Sequence, residues 1–308
     1  MRSSTTVIVL MGGPDAEREV SLASGGRVVA ALETFDDLTV VARPVDAPEE
    51  SGLRAMFESD GADVIFPVLH GAWGEGGALQ SRLERIGTPF VGSGQAAAEL
   101  AMDKMRSKAM VAELAIPTPA AEPVSPGREI GIPLPLVLKP IADGSSVGVR
   151  MASTPEELAE VRPALEADHD RLMAESFVRG RELTVGMVDG AMLPPIEIIP
   201  STGFYDYEAK YLRDDTRYVV SPDLPSGVEE DLETWSRRIL DAFEVRDFGR
   251  VDWLLPFEGP SGPRPTFLEV NTIPGMTDHS LIPMGAERIG LPMPKLCRRL
   301  IEAALDRG

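Results

Sequence analysis

Asp252, Glu269 and Asn271 are the residues whose types and spacing most readily suggest chemistry. "TFLEVN" reads as a strand. Side chains alternate faces along a strand, so Glu269 and Asn271 share one face and Val270 takes the other. In "GRVDWLL", Arg250 and Asp252 share a face for the same reason. If the two strands pair as a hairpin, Asp252, Glu269 and Asn271 converge, with Arg250 beside them. Two carboxylates and an amide oxygen are hard donors that suit Mg²⁺, which completes its octahedron with water and phosphate oxygens. Spacing alone leaves a merely polar sheet face as an equal alternative. No His or Cys cluster has zinc spacing, since His70, His169 and His279 are scattered.

Other residues point to phosphate. In "DGSSVGV", Gly144 and Gly148 bracket Ser145 and Ser146, and small residues let backbone N–H groups approach an anion. The G-x-x-x-x-G-K-[ST] spacing of a P-loop is absent, and an ordinary glycine turn explains the stretch as well. Lys139 ends the apolar strand "PLVLKP", where its ammonium either reaches solvent or neutralises phosphate. Lys104 sits on a helix and says nothing alone. "MGGPDAEREVS" lacks G-x-G-x-x-G, and Glu17 and Glu19 would repel a pyrophosphate. They read as partners of a helix dipole, or, for Glu17, as a carboxylate for a substrate ammonium.

The elements that position these residues follow from the pattern. The first third alternates strands ("TTVIVLMGG", "LTVVARPV", "ADVIFPVLHG", "TPFVGSG") with helices, a βαβ pattern predicting an open parallel sheet over residues 1–95. A second α+β unit is expected over 96–178. It opens with one helix, "AELAMDKMRSKAMVAELA", and contains a helix capped by Thr154 with Glu157 three residues on. The third, 179–308, holds a hairpin turning at Asp189-Gly190, a long aromatic and charged stretch over about 201–222 that reads as a lid loop, an amphipathic helix, the two strands above and a closing helix.

With 308 residues, two or three domains are expected. The formal charge of −19 disfavours nucleic acid and anionic membranes as partners. No apolar run approaches the roughly 20 residues of a membrane span. The N-terminal run reads as a first strand rather than a signal peptide, and one cysteine, Cys297, fits a reducing compartment, so a cytoplasmic location is expected.

The motifs "GGPDAEREVSL", "FPVLHGAWGEGG", "VGSG", "AMDK", "LVLKP", "GSSVGV", "GFYDYEAKY", "GRVDWLL" and "LEVNTIPGMTDHSL" follow one another along nearly the whole chain. In this the chain resembles the D-alanine–D-alanine ligases of the ATP-grasp superfamily. The resemblance implies a three-domain α/β and α+β architecture, with ATP held between the central and C-terminal units. It implies ligation of two D-alanines through an acyl phosphate for peptidoglycan precursor synthesis, a homodimer, and two Mg²⁺ ions, with Mn²⁺ as a substitute, on Asp252, Glu269 and Asn271. Lys104, Lys139, Gly144, Ser145, Ser146 and Lys210 then match phosphate-side positions of the ATP site. Glu175 matches the residue near the adenine amine, Phe177 and Val178 its backbone partners, and Glu182 the ribose contact. Glu17, Ser145 and Tyr211 resemble the group around the first D-alanine, with His70 on the substrate side. Arg250 and the Gly275 amide look like oxyanion donors, and Ser280 and Leu281 the carboxylate site of the second D-alanine. Gly76, Asp143 and Asp278 depart from the family's common Asp, Glu and Ser, and Asp278 adds negative charge beside a carboxylate site. Tyr211 disfavours the D-alanine–D-lactate variants. Ligases with another second substrate, and a catalytically silent nucleotide-binding protein, are the alternatives.

Overall fold

A computed structural model describes residues 4–144, 148–200, 215–257 and 263–308. The expected placements of Ser145, Ser146, Lys210 and Tyr211 lie outside the described residues.

Strands β1 (Thr5–Gly12), β2 (Leu38–Val45) and β3 (Val64–Pro67) form a parallel sheet in the order β2-β1-β3. The crossovers are helices α1 (Arg18–Leu32) and α2 (Glu50–Asp60). The βαβ expectation holds, but Phe90 of the fourth proposed strand makes only a single bridge to Ile65. Helix α1 lies close on β1. A Cβ at Gly25 would stand 2.7 Å from the Met11 side chain, so glycine permits the contact.

Short helices α3 (Gly71–Glu75) and α4 (Ala78–Ile86) lead to α5 (Gln95–Met102) and α6 (Lys104–Glu113). One continuous helix was expected across the last pair. The chain breaks at Asp103, whose backbone is extended and whose carboxylate caps α6 by accepting from the Arg106 amide at 3.0 Å. An aspartate that can cap competes well with one that continues a helix.

The second sheet is antiparallel, with β4 (Ala121–Val124), β5 (Leu136–Pro140), β6 (Arg150–Ala152) and β7 (Leu172–Ser176) in the order β4-β7-β5-β6. Helix α7 (Pro155–Asp168) is capped by Thr154 as predicted. The third sheet contains β8 (Gly180–Val188), β9 (Ala191–Met192), β10 (Ile196–Ile199), β11 (Arg217–Val220), β12 (Phe248–Pro256) and β13 (Thr266–Asn271), ordered β11-β10-β8-β12-β13 with β9 on β8. Asp189 and Gly190 both have positive φ, the requirement of the tight turn between β8 and β9. The proposed lid over 201–222 is corrected at its far end: Arg217–Val220 is β11, paired with β10.

Helix α8 (Val228–Ala242) covers the third sheet. Trp253 of β12 is fully buried there, donates Nε1–H to Ser236 Oγ at 3.0 Å and packs edge-on against Phe267 at 6.2 Å. Helices α9 (Leu281–Arg288) and α10 (Met293–Arg307) return to the first sheet, where Leu296, Leu300 and Ile301 share one core with Val7, Val9 and Phe66. The C-terminal helix therefore fastens the third sheet to the first.

Candidate active site

The site is built on the β12–β13 hairpin. Its register pairs Arg250 with Asn271 and Asp252 with Glu269, as the alternation predicted. A bulge follows between Asp252 and Trp253, so that Trp253 faces Phe267. Leu268 and Glu269 consequently both line the same cleft, against strict alternation, in the way bulges re-aim side chains beside sites. Two like charges opposite each other on a strand pair repel. The Asp252 end of this pair is held by its neighbours. Arg250 places Nε 3.0 Å from Asp252 Oδ1, and Thr184 donates its hydroxyl to the same oxygen at 2.6 Å. Asn271 Oδ1 accepts from the Ile273 amide at 3.0 Å, which orients the amide. The paired carboxylates and the amide oxygen are a donor set that fits a hard divalent cation.

A cleft of about 460 Å³ opens on one side of the hairpin. Its walls mix Val137, Phe177, Val178, Leu254 and Leu268 with Lys139, Glu175 and Glu182. A smaller, polar cavity adjoining it is lined by Glu17, His70, Glu75, Asn271 and Gly275. Lys104, Asp143, Arg250 and Glu269 line both. Burial lowers the pKa of Lys104, and its Nζ donates to the Asp143 carbonyl at 2.6 Å, so the ammonium sits at the junction of the two spaces.

Glu17 and Glu75, both buried, give the small cavity an anionic wall, and Gly144 packs against them. Motif reading missed Glu75, although it stands in "HGAWGE", four residues after Gly71, whose amide its carboxylate accepts at 3.2 Å. It also missed Lys108, one helical turn after Lys104 and equally buried. Lys108 Nζ lies 2.5 Å from Glu175 Oε1, and Lys139 Nζ 2.6 Å from Glu175 Oε2. Burial would raise the pKa of Glu175, but the charges of Lys139 and Lys108 outweigh it and hold it below the usual carboxylate range. Burial in turn pushes Lys108 down to about 8.

Ser280 is the N-cap of α9, with Leu281 as its first residue. Ser280 Oγ accepts from the Thr277 amide at 2.9 Å and lies over Gly275, where a Cβ would meet it at 2.8 Å.

Two family models match the chain, "D-ala D-ala ligase N-terminus" over residues 41–93 and "D-ala D-ala ligase C-terminus" over 127–302. The D-alanine–D-alanine ligase of Dechloromonas aromatica (strain RCB) is 44% identical over 323 residues, covering 99% of this chain and 100% of the relative. The chain belongs to the D-alanine–D-alanine ligase family. The ligase of Stutzerimonas stutzeri (strain A1501) is 40% identical over 98% of the chain and 95% of its own length. Among solved structures, the Bacillus anthracis ligase complexed with ATP superposes with a TM-score of 0.81 at 27% identity, covering 98% of each chain. The D-Ala:D-Ser ligase VanG from Enterococcus faecalis gives the same TM-score and identity, over 98% of this chain and 100% of that one.

The three departures from the ligase pattern each have a structural setting. A side chain at Gly76 would press its Cβ to 2.3 Å from the Ala72 carbonyl, so the tight end of α3 leaves no room for the usual aspartate. Asp143 turns its shorter carboxylate to His169 Nδ1 at 2.9 Å. Asp278 forms an ion pair with Arg27 of α1, and both side chains are largely exposed. The negative charge of Asp278 is therefore paired and solvent-exposed. Surface pairs of this kind contribute about 0–1 kcal/mol. Asp278→Ser is expected to leave the KM for the second D-alanine within about twofold and to shift stability by under about 1 kcal/mol. Steady-state kinetics over a wide D-alanine range check this; a KM lowered about tenfold would place the carboxylate in the pocket instead.

Proposed function

We propose that the protein joins two D-alanines into D-alanyl-D-alanine with ATP as the driving reactant, releasing ADP and phosphate and supplying a peptidoglycan precursor. The observation that carries this reading is the shared wall of Lys104, Arg250 and Glu269 between a nucleotide-sized cleft and a small anionic cavity. The reaction must pass a phosphoryl group from one space to a carboxylate in the other, and such transfers depend on positioning and charge neutralisation.

In the small cavity, Glu17 receives the ammonium of the first D-alanine, with His70 beside it. Arg250 and the Gly275 amide face its carboxylate. A carboxylate oxygen attacks the γ-phosphorus, the bond to the ADP oxygen breaks, and an acyl phosphate forms. Lys104, Lys139 and Arg250 supply positive charge where negative charge develops. Asp252, Glu269 and Asn271 would hold Mg²⁺, which when bound neutralises the β- and γ-phosphates. Among the described residues no three of His, Cys, Asp or Glu form a metal group, so the proposal rests on the mixed carboxylate–amide set. The second D-alanine places its carboxylate at the N-terminus of α9, near Ser280 and Leu281, where free N–H groups favour an anion. Its amine attacks the acyl carbon, phosphate departs with the C–O bond electrons, and the nitrogen loses its proton. Through the family resemblance, the stretch "STGFYDYEAKYLRDD" is given the role of keeping water from the acyl phosphate, Ser145 and Tyr211 join Glu17 around the first D-alanine, and Lys210 belongs to the ATP site. Among the described residues no helix is long and apolar enough to cross a membrane. A cytoplasmic location and a homodimer belong to the same proposal through the family resemblance.

Purified protein with ATP, Mg²⁺ and D-alanine is expected to release phosphate and dipeptide in equal amounts. No D-alanine-dependent phosphate would overturn the reading. Likeness to a D-Ala:D-Ser ligase makes D-serine the acceptor to compete against D-alanine. A preference for D-serine over D-alanine at equal concentration would move the assignment to that second substrate.

A further inference from the structure

Lys108 has no role in the reading above, yet it is among the most thoroughly enclosed cations of the described chain, at 5% exposure. It does not line the nucleotide cleft, where Glu175 and Lys139 are both present. It stands behind Glu175. Its Nζ lies 2.5 Å from Glu175 Oε1, and it donates to Thr118 Oγ1 at 2.7 Å and to the Pro119 carbonyl at 3.1 Å. Thr118 in turn donates to the Phe267 carbonyl of β13 at 3.1 Å. Three oxygens around one ammonium, one of them anchored to the strand that carries Glu269, make Lys108 a fixed charge. Lys139 differs. Among the described residues its hydrogen bonding is to Glu175 alone, at 2.6 Å, and it projects into the cleft.

One carboxylate thus has a fixed and a movable counter-ion. We propose that Lys108 is a positioning residue that keeps Glu175 an anionic acceptor for the exocyclic amine of a 6-aminopurine while Lys139 turns to the phosphates. The proposal rests on the ATP-ligase reading given above. Without a second lysine, a turn of Lys139 toward phosphate would leave a carboxylate that is 3% exposed with no ion-pair partner among the described residues, a state a buried acid avoids by taking up a proton. A protonated Glu175 donates a hydrogen bond, and a donor there accepts a 6-oxopurine. An anionic Glu175 meets the 6-oxo group with repulsion. Lys108 therefore sets which purine the cleft takes without touching it.

The test compares ATP with inosine triphosphate, which carries a 6-oxo group, as phosphoryl donor in D-alanine-dependent phosphate release. The wild-type enzyme is expected to prefer ATP in kcat/KM by about a hundredfold or more, as sites built around a buried polar contact do. In Lys108→Met the ratio is expected to fall at least about tenfold, with the loss for ATP carried by KM rather than kcat. Lys108→Arg, which keeps the charge, is expected to restore most of the ratio. A merely structural role would lower use of both nucleotides together and leave the ratio unchanged; that outcome in folded K108M overturns the proposal. If K108M does not fold, Thr118→Val removes the anchor and keeps the charge. A ratio lowered about two- to fivefold supports the proposal, and an unchanged one overturns it. Wild-type enzyme that uses ATP without preferring it to inosine triphosphate also overturns it. Wild-type enzyme that releases no phosphate from either nucleotide sinks the ligase reading itself, a separate result.

Discussion

Glu269→Ala is expected to lower kcat by about a thousandfold or more while the protein melts as the parent does. The size of the effect follows from what the carboxylate does at the junction of the two cavities. Electrostatic groups fixed on a developing charge are individually worth about 3–4 kcal/mol, and loss of a metal-holding donor removes more than one contact at once. The stability prediction follows from register. Glu269 stands opposite Asp252 on paired strands, and like charges opposite each other destabilise the pair. Removing one relieves that repulsion but also takes from buried Lys104 the carboxylate charge that most favours its ammonium, so the two effects oppose and the melting temperature is expected to hold in the absence of nucleotide. Phosphate release and thermal melting check the two parts. Turnover within tenfold of the parent would remove Glu269 from the phosphate chemistry and return the hairpin to the polar-surface reading.

Arg250→Met is expected to reduce both turnover and stability. Its guanidinium contacts Asp252 through Nε at 3.0 Å and Nη2 at 3.2 Å, and both residues are about 5% exposed. Truncating one partner of a buried pair strands the other, at roughly 3–5 kcal/mol in comparable cases. The retained Thr184 hydrogen bond and the proximity of the cleft put the expectation toward the lower end of that range. For turnover, losing a donor aimed at a developing oxyanion predicts a drop in kcat of about 10²–10³. The double variant Arg250→Met, Asp252→Asn tests the stability part alone, because it also removes a proposed Mg²⁺ donor. It is expected to recover most of the lost melting temperature, because no buried charge is left unpaired, and none of the turnover.

Lys108 and Asp278 were the residues whose meaning changed most once their partners were known. Asp278 read as a charge beside a carboxylate site, because only the motif around it was visible. Its partner, Arg27, lies on α1 some 250 positions away, a separation no local pattern reports. Lys108 belongs to no motif of its own, although it stands one helical turn from Lys104 in the sequence. Helical spacing shows that two lysines share a face, and whether that face meets solvent or Glu175 depends on β7 packing beneath it.

What was legible in the chain alone came from periodicities that are local by nature. Alternation along β12 and β13 placed Asp252, Glu269 and Asn271 together, because a two-residue repeat leaves only one way for a hairpin to share faces. Capping chemistry marked the start of α7, and Asp189-Gly190 marked a turn that few other residue pairs allow. Three features showed only in the folded chain: the bulge that brings Leu268 and Glu269 to one cleft, the break at Asp103, and the docking of α10 on the first sheet. The bulge and the docking of α10 join segments apart in sequence, where burial of shared apolar surface outweighs local preference, whereas the break at Asp103 is a local contest that the capping carboxylate wins. The donors of the site were written in the strands, whereas the counter-ions that tune them came from contacts that exist only after packing.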